Sequence, residues 1–415
     1  MLLFQYVYYP ISFDLRYANE LREYLNDSQL EFAQFLFLGG VTIFLLGLVI
    51  GAGRRPRHAP LFGLPIVSEA SCVSARRVAS VLSIISLGSF LYGSLSSGAL
   101  TGADTEFGYL NEAYHFSVPA TAFYLVSRSG RRLGLRDLAI CIFLLSPLLM
   151  RGIFVAKRGP LLMFFIALGI GWHLAQGRRP NLTQLAGAGL AVIVLVLFVF
   201  FNRGAIWSGS SIDTSVSISD IASINAGNDY IYGAAMANFA QVSGNHGWGA
   251  NYFITFFVRP IPSQIWPTKY DDARLFFNLD FYGAIATRFE YLEYAASQVL
   301  GWRIAPGAAW GLVTDVYFEF RYFGYIAVYI LGYIIGRIWR NAGRTPLWFV
   351  VYMNIMSSAP YIVAQDLMDS GFRILFMSVP SLVLFFILRR KEKRMLRSIT
   401  GGPPNQRGLG PVGPL

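Results

Sequence analysis

Four ionisable side chains in the second half of the chain could take a proton from a hydroxyl: His246, Glu290, Asp315 and Glu319. His246 sits in the glycine-rich stretch SGNHGWG, and an ordinary histidine pKa of about 6.5 suits a general base without further tuning. A surface turn accounts for the same histidine without chemistry. Asp315 and Glu319 are four apart, hence on one helical face, where an apolar run begins. A carboxylate at membrane depth is a functional candidate, and burial raises its pKa toward the working range. Pairing with Arg321 or with an arginine of another span is the structural alternative. Glu290 and Glu293 are three apart among the aromatics of RFEYLEY. Rings pack on the C–H faces of sugars while carboxylates accept from hydroxyls. An amphipathic helix lying on a membrane has the same pattern.

A second group is cationic. Arg151 and Arg158 are seven apart and share a helical face. With Arg203 and Arg259 they form a candidate anion site, to which Arg321 and Arg373 add at the starts of later apolar runs. Guanidinium matches phosphate oxygens in bidentate fashion, so such a group suits a pyrophosphate or an acidic sugar. Snorkelling to lipid phosphate is the simpler explanation of Arg151 and Arg158. His58, His115 and His173 make no ligand spacing, Asp271–Asp272 reads as a solvated pair, and no metal motif is present.

These residues must be positioned by membrane helices. The chain has 415 residues, 54% hydrophobic and 14% charged, against about 25% charged in soluble domains. Its mean hydropathy is +0.48. Runs of about 20 apolar residues, long enough to span, lie near 32–51, 78–97, 108–127, 138–156, 160–176, 184–201, 319–338, 346–364 and 372–388. The expected fold is an all-α polytopic membrane protein with about 9–10 transmembrane helices and a large periplasmic loop between the sixth and seventh spans. Five basic clusters, around Arg54–Arg77, Arg128–Arg136, Arg178–Arg179, Arg337–Arg344 and Arg389–Arg397, fall on one side when the spans alternate. That side is the cytoplasm. The net charge of +11 therefore reports topology and not nucleic-acid binding. Cys72 and Cys141 suggest neither a disulfide framework nor a metal site. Gly332 and Gly336 form GxxxG, a sign of close helix packing.

The chain thus divides into an N-terminal periplasmic or interfacial segment (1–31), a first bundle of about six spans (32–201), and a large periplasmic loop with short or re-entrant helices (202–318). A second bundle of about three spans (319–388) and a basic, Pro/Gly-rich cytoplasmic tail (389–415) follow. The implied location is a bacterial inner membrane, with the active site facing the periplasm.

Three blocks resemble the O-antigen polymerases, the Wzy-type oligosaccharide repeat-unit polymerases. KRGPLLMFF at 157–165 is similar to the family's Arg-Gly turn opening an apolar span. RPIPSQIWPTKY at 259–270 is similar to its Pro-rich periplasmic segment, although Ser263 and Gln264 replace the family's arginine and Tyr270 its second proline. GAAWGLVTDVYFEFRYFGYIAVYILG at 307–332 is similar to its carboxylate–aromatic segment leading into a span. The resemblance implies transfer of a glycan from undecaprenyl pyrophosphate to the end of another lipid-linked repeat unit, without metal or other cofactor. It implies lipid-linked oligosaccharide and membrane lipid as partners, with a chain-length regulator and a flippase of the same pathway. Arg151, Arg158, Arg203 and Arg259 would hold the pyrophosphate. Trp266, Lys269, Glu293 and Tyr317 would hold the glycan. His246, Asp315, Glu319 or Glu290 would take the acceptor proton. An O-antigen ligase, which moves the same donor to lipid A core, is the near alternative. A lipid-linked oligosaccharide flippase is the distant one, and charge gathered at one face argues against it.

Overall fold

In a computed structural model, residues 24–53, 68–95, 110, 112–155, 158–177, 181–202, 229–279, 288–302 and 310–399 are described. All regular structure in them is helical: α1 (Asp27–Ala52), α2 (Glu69–Leu95), α3 (Ser117–Ser127), α4 (Leu135–Phe154), α5 (Arg158–Gln176), α6 (Leu182–Phe201), α7 (Asp229–Ser243), α8 (Ala250–Phe253), α9 (Lys269–Phe276), α10 (Arg288–Leu300), α11 (Leu312–Phe320), α12 (Gly324–Asn341), α13 (Pro346–Ala364) and α14 (Leu367–Ile399). Seven described helical stretches are long and apolar enough to cross a membrane: α1, α2, α4, α5, α11 with α12, α13 and α14. The protein is a multi-pass α-helical membrane protein. The run expected at 108–127 contains the short α3, led in by a 3₁₀ turn at Ala113–Phe116. Every residue of α3 except Tyr124 is buried, so it is a core helix wrapped by its neighbours.

Two cores form the bundle. One gathers Phe37, Tyr230, Leu292, Trp310 and Phe318 from α1, α7, α10 and α11. The other gathers Val78, Phe123, Leu145, Met163, Met353 and Phe385 from α2 to α5, α13 and α14. Phe44, Leu312, Val328 and Ile362 form a third, smaller cluster between α1, α11, α12 and α13. Within 202–318, expected as a loop with short or re-entrant helices, the described residues hold α7 to α10 and most of α11, and α7 and α10 belong to the first core.

The closest helix pair is α1 with α12. A Cβ at Gly47 would lie 2.2 Å from the Tyr329 carbonyl oxygen, and one at Gly51 would lie 2.1 Å from that of Tyr333. From the other side, a Cβ at Gly332 would lie 2.3 Å from the Phe44 oxygen and one at Gly336 2.3 Å from the Leu48 oxygen. The GxxxG of α12 faces a matching pair on α1, and backbone lies on backbone. Away from this pair, Arg77 pairs with Glu392 between α2 and α14. Asp137 accepts from Tyr124 Oη at 2.7 Å and lies 2.8 Å from Arg128 Nε.

Candidate functional site

The turn after α7 is made by left-handed backbone at Gly244 (φ 70°), Trp248 (φ 48°) and Gly249 (φ 83°). It presses His246 and Gly247 against α11. Gly247 N donates to the Phe318 oxygen at 3.1 Å, and His246 Nδ1 lies 3.2 Å from that same oxygen. A carbonyl only accepts, so Nδ1 carries the proton and Nε2 is the basic nitrogen. The ring stands edge-on to Tyr317 at 5.6 Å. Burial and the charge of Arg321 push His246 below the ordinary histidine value, against the pull of its backbone hydrogen bonds.

Asp315 and Glu319 point from α11 into this joint, and both are fully buried. Glu319 Oε1 accepts from Asn251 Nδ2 at 2.7 Å. Asp315 Oδ2 accepts from Tyr252 Oη at 2.7 Å and from Leu367 N at 3.1 Å. A Cβ at Gly247 would stand 2.5 Å from Glu319 Oε2, so only glycine lets the turn close over the carboxylate. Directly after α11 the chain breaks at Arg321, a non-glycine residue at φ 52°, and folds back into α12. A positive φ in a non-glycine residue is strained backbone that the surrounding packing must hold in place.

A second constellation lies across α3, α4, α13 and α14. Glu112 precedes the 3₁₀ turn, with Oε2 3.1 Å from His115 Nδ1 and 3.8 Å from Arg373 Nε. The Arg151 guanidinium covers the Tyr114 ring at 4.4 Å, and that of Arg373 covers Tyr361 at 4.3 Å. Both arginines act electrostatically on Glu112. Arg151 Nε, Arg373 Nε and Nη1, and His115 Nε2 are buried with no hydrogen-bond partner among the described residues. Buried N–H groups of this kind normally find acceptors, and a bound ligand is one way to supply them. At the start of α5, a Cβ on Gly159 would fall 1.9 Å from Tyr361 Oη. The Arg158–Gly159 backbone therefore touches the ring that carries Arg373.

Arg259 links the two constellations. It ends a π-helical turn, Ile254–Val258, and its Nη1 lies 2.5 Å from Asp369 Oδ1 near the start of α14. Its charge also reaches Glu112. π-Helical turns are frequent at functional sites.

The remaining expected residues divide. Lys269 is buried and its Nζ donates to the carbonyls of Arg259 and Ile261, clamping the Pro-rich segment. Burial and the Arg259 charge push its pKa below the usual lysine value. Trp266 Nε1 donates to Asp272 at 2.6 Å, as does Thr268 Oγ1 at 2.7 Å. These bonds hold Asp272 below the usual carboxylate range, so that acid, though exposed, is more than a solvated partner of Asp271. Tyr317 is buried between His246 and Phe32. Glu290 is exposed and Glu293 half-buried on α10, which packs on α7. Arg158 begins α5, and Arg203 lies outside the described residues.

Glu112 and His115 were not singled out from sequence as site residues. Their spacing of three was visible, but the partner that gives them meaning, Arg373, is 261 positions after Glu112. Among the described residues no cluster of three or more His, Cys, Asp or Glu side chains could hold a metal ion. Comparison of the chain with known protein families, with curated proteins and with solved structures finds no match.

Proposed function

We propose that this end of the bundle binds a pyrophosphate-linked glycan and transfers its sugar chain to the end of a second lipid-linked unit. In full, the reading is polymerisation of undecaprenyl-pyrophosphate-linked repeat units at the periplasmic face of the inner membrane. The observation that carries it is the pair of guanidinium groups on buried Arg151 and half-buried Arg373, whose Arg151 Nε and Arg373 Nε and Nη1 the described residues leave unmet. In such a transfer the acceptor oxygen forms a bond to the anomeric carbon while the bond from that carbon to pyrophosphate breaks. The electron pair leaves on pyrophosphate, and preorganised arginine donors stabilise the charge that develops there. The acceptor proton goes to His246, whose Nδ1 is committed to Phe318 and whose Nε2 stays basic.

The test is transfer by the purified full chain given lipid-linked repeat units. Arg373→Ala and Arg151→Ala are expected to lower the rate by about 10²- to 10³-fold, the loss typical of removing one charge-stabilising donor. Arg→Lys at either position should restore little, because an ammonium lacks the planar fork. Wild-type rates in both alanine variants refute the assignment. With lipid A core added as a competing acceptor, product found on the core, and not on a second repeat unit, makes the protein a ligase.

A further inference from the structure

Glu112 and His115 have no part in that transfer, yet they sit among its arginines. The Glu112 side chain is 30% exposed, and His115 is wholly buried behind it. His115 Nδ1 lies 2.9 Å from the Glu112 backbone oxygen as well as 3.1 Å from its carboxylate. His115 Nε2 has no partner among the described residues. A carboxylate touching an imidazole is a pair that can gain one proton without moving. The charges around it are unbalanced. Arg151 and Arg373 contribute two positives and Glu112 one negative, a sum of +1 with His115 neutral. Among the described residues, the other ionisable neighbours do not change this sum. Tyr114 and Tyr361 are neutral phenols, and Arg259 is offset by Asp369. A doubly charged oxyanion would take the sum to −1, and an uncompensated charge in a buried pocket is costly. One proton brings it to zero.

We propose that the Arg151–Arg373 pair forms a proton-linked oxyanion site, in which a doubly charged phosphate or diphosphate ester enters together with one proton taken up by the Glu112–His115 pair. The proposal rests on the reading of the pocket as the pyrophosphate site. It carries a selectivity rule: a singly charged anion neutralises the pocket alone and needs no proton.

The experiment uses the full chain in detergent micelles, with sulfate and nitrate as probes whose charges stay at −2 and −1 between about pH 5.5 and 8. Sulfate affinity should weaken as pH rises, by up to about tenfold per pH unit for one linked proton. Nitrate affinity should stay flat. Glu112→Gln leaves two arginine charges that sulfate cancels exactly by number, so this variant should bind sulfate more tightly at pH 8 and lose the pH dependence. Sulfate binding that needs Arg373 but shows no pH dependence overturns the proton linkage while leaving the anion site standing. A Glu112→Gln variant that keeps the wild-type slope overturns it as well. Sulfate binding unchanged in both Arg151→Ala and Arg373→Ala overturns the anion site and the linkage together. The contrast between sulfate and nitrate in the wild type needs no variant to fold.

Discussion

The joint around α11 and the pocket around Arg373 both bury charge, but they do so in opposite ways. At the joint, Asp315 takes two donors, Tyr252 and Leu367, while Glu319 takes Asn251. In the pocket, the guanidinium groups of Arg151 and Arg373 lie on aromatic faces with N–H groups unmet among the described residues. A satisfied buried charge fixes geometry. An unsatisfied one is a cost that stability alone does not explain. On the proposed reading, the contrast gives Asp315 a positioning role and the arginines a binding one. It thereby moves the weight of the site away from residues that look most catalytic in the sequence.

Stability measurements test that division most strongly. Asp315→Ala strands the Tyr252 hydroxyl and the Leu367 amide, each worth about 1–3 kcal/mol when buried and unpaired. The expected loss is therefore about 2–6 kcal/mol, read by unfolding in detergent micelles. Arg373→Met gives up a long 3.8 Å ion pair with Glu112 but removes N–H groups that the described residues leave unmet and keeps an apolar stem, so it should cost less stability than Asp315→Ala. Equal losses in the two variants would erase the contrast. A smaller effect comes from adding one methyl group on each side. Gly247→Ala pushes on Glu319 and Asn251 and should cost about 1–3 kcal/mol as overpacking. Gly159→Ala pushes on the Tyr361 hydroxyl and ring edge, and by displacing the ring under Arg373 it should weaken anion binding as well as stability. The smallest effect is a pH dependence. Because burial lowers the His246 pKa, below about pH 6.5 the unfolded chain takes up a proton that the folded chain refuses. Stability should be at its plateau above that pH and fall as pH drops toward the folded value. His246→Gln should flatten this fall, and an unchanged profile would remove His246 from the joint.

The membrane helices were legible because about 20 apolar residues in a row have few other uses. Helices α1, α5 and α13 begin and end within a few residues of the expected spans. The sequence also exposed Arg151, because a cation where positive charge is disfavoured stands out against its neighbours. Glu112 gave no such signal. An acid in a polar connecting stretch is ordinary until α14 brings Arg373 beside it. Lys269 shows the reverse limit: its type suggested a ligand contact, but its direction is set by the turn at Arg259–Ile261, which no spacing rule reveals. Asp315 and Glu319 were legible as a pair on one face. That they answer to Asn251, Tyr252 and Leu367 is a fact of tertiary packing.

The four-glycine contact between α1 and α12 has a mechanical consequence. Side chains between helices act as a cushion that allows sliding and rotation, and here carbonyl oxygens of one helix meet the α-carbons of the other. Turning either helix by a fraction of a turn would drive Tyr329, Tyr333, Phe44 or Leu48 backbone into a neighbour. The pair therefore behaves as a mast, a fixed reference for the rest of the bundle. Relative movement within the bundle is left to helices held apart by side chains, and the α1–α12 pair is the frame against which it would be measured.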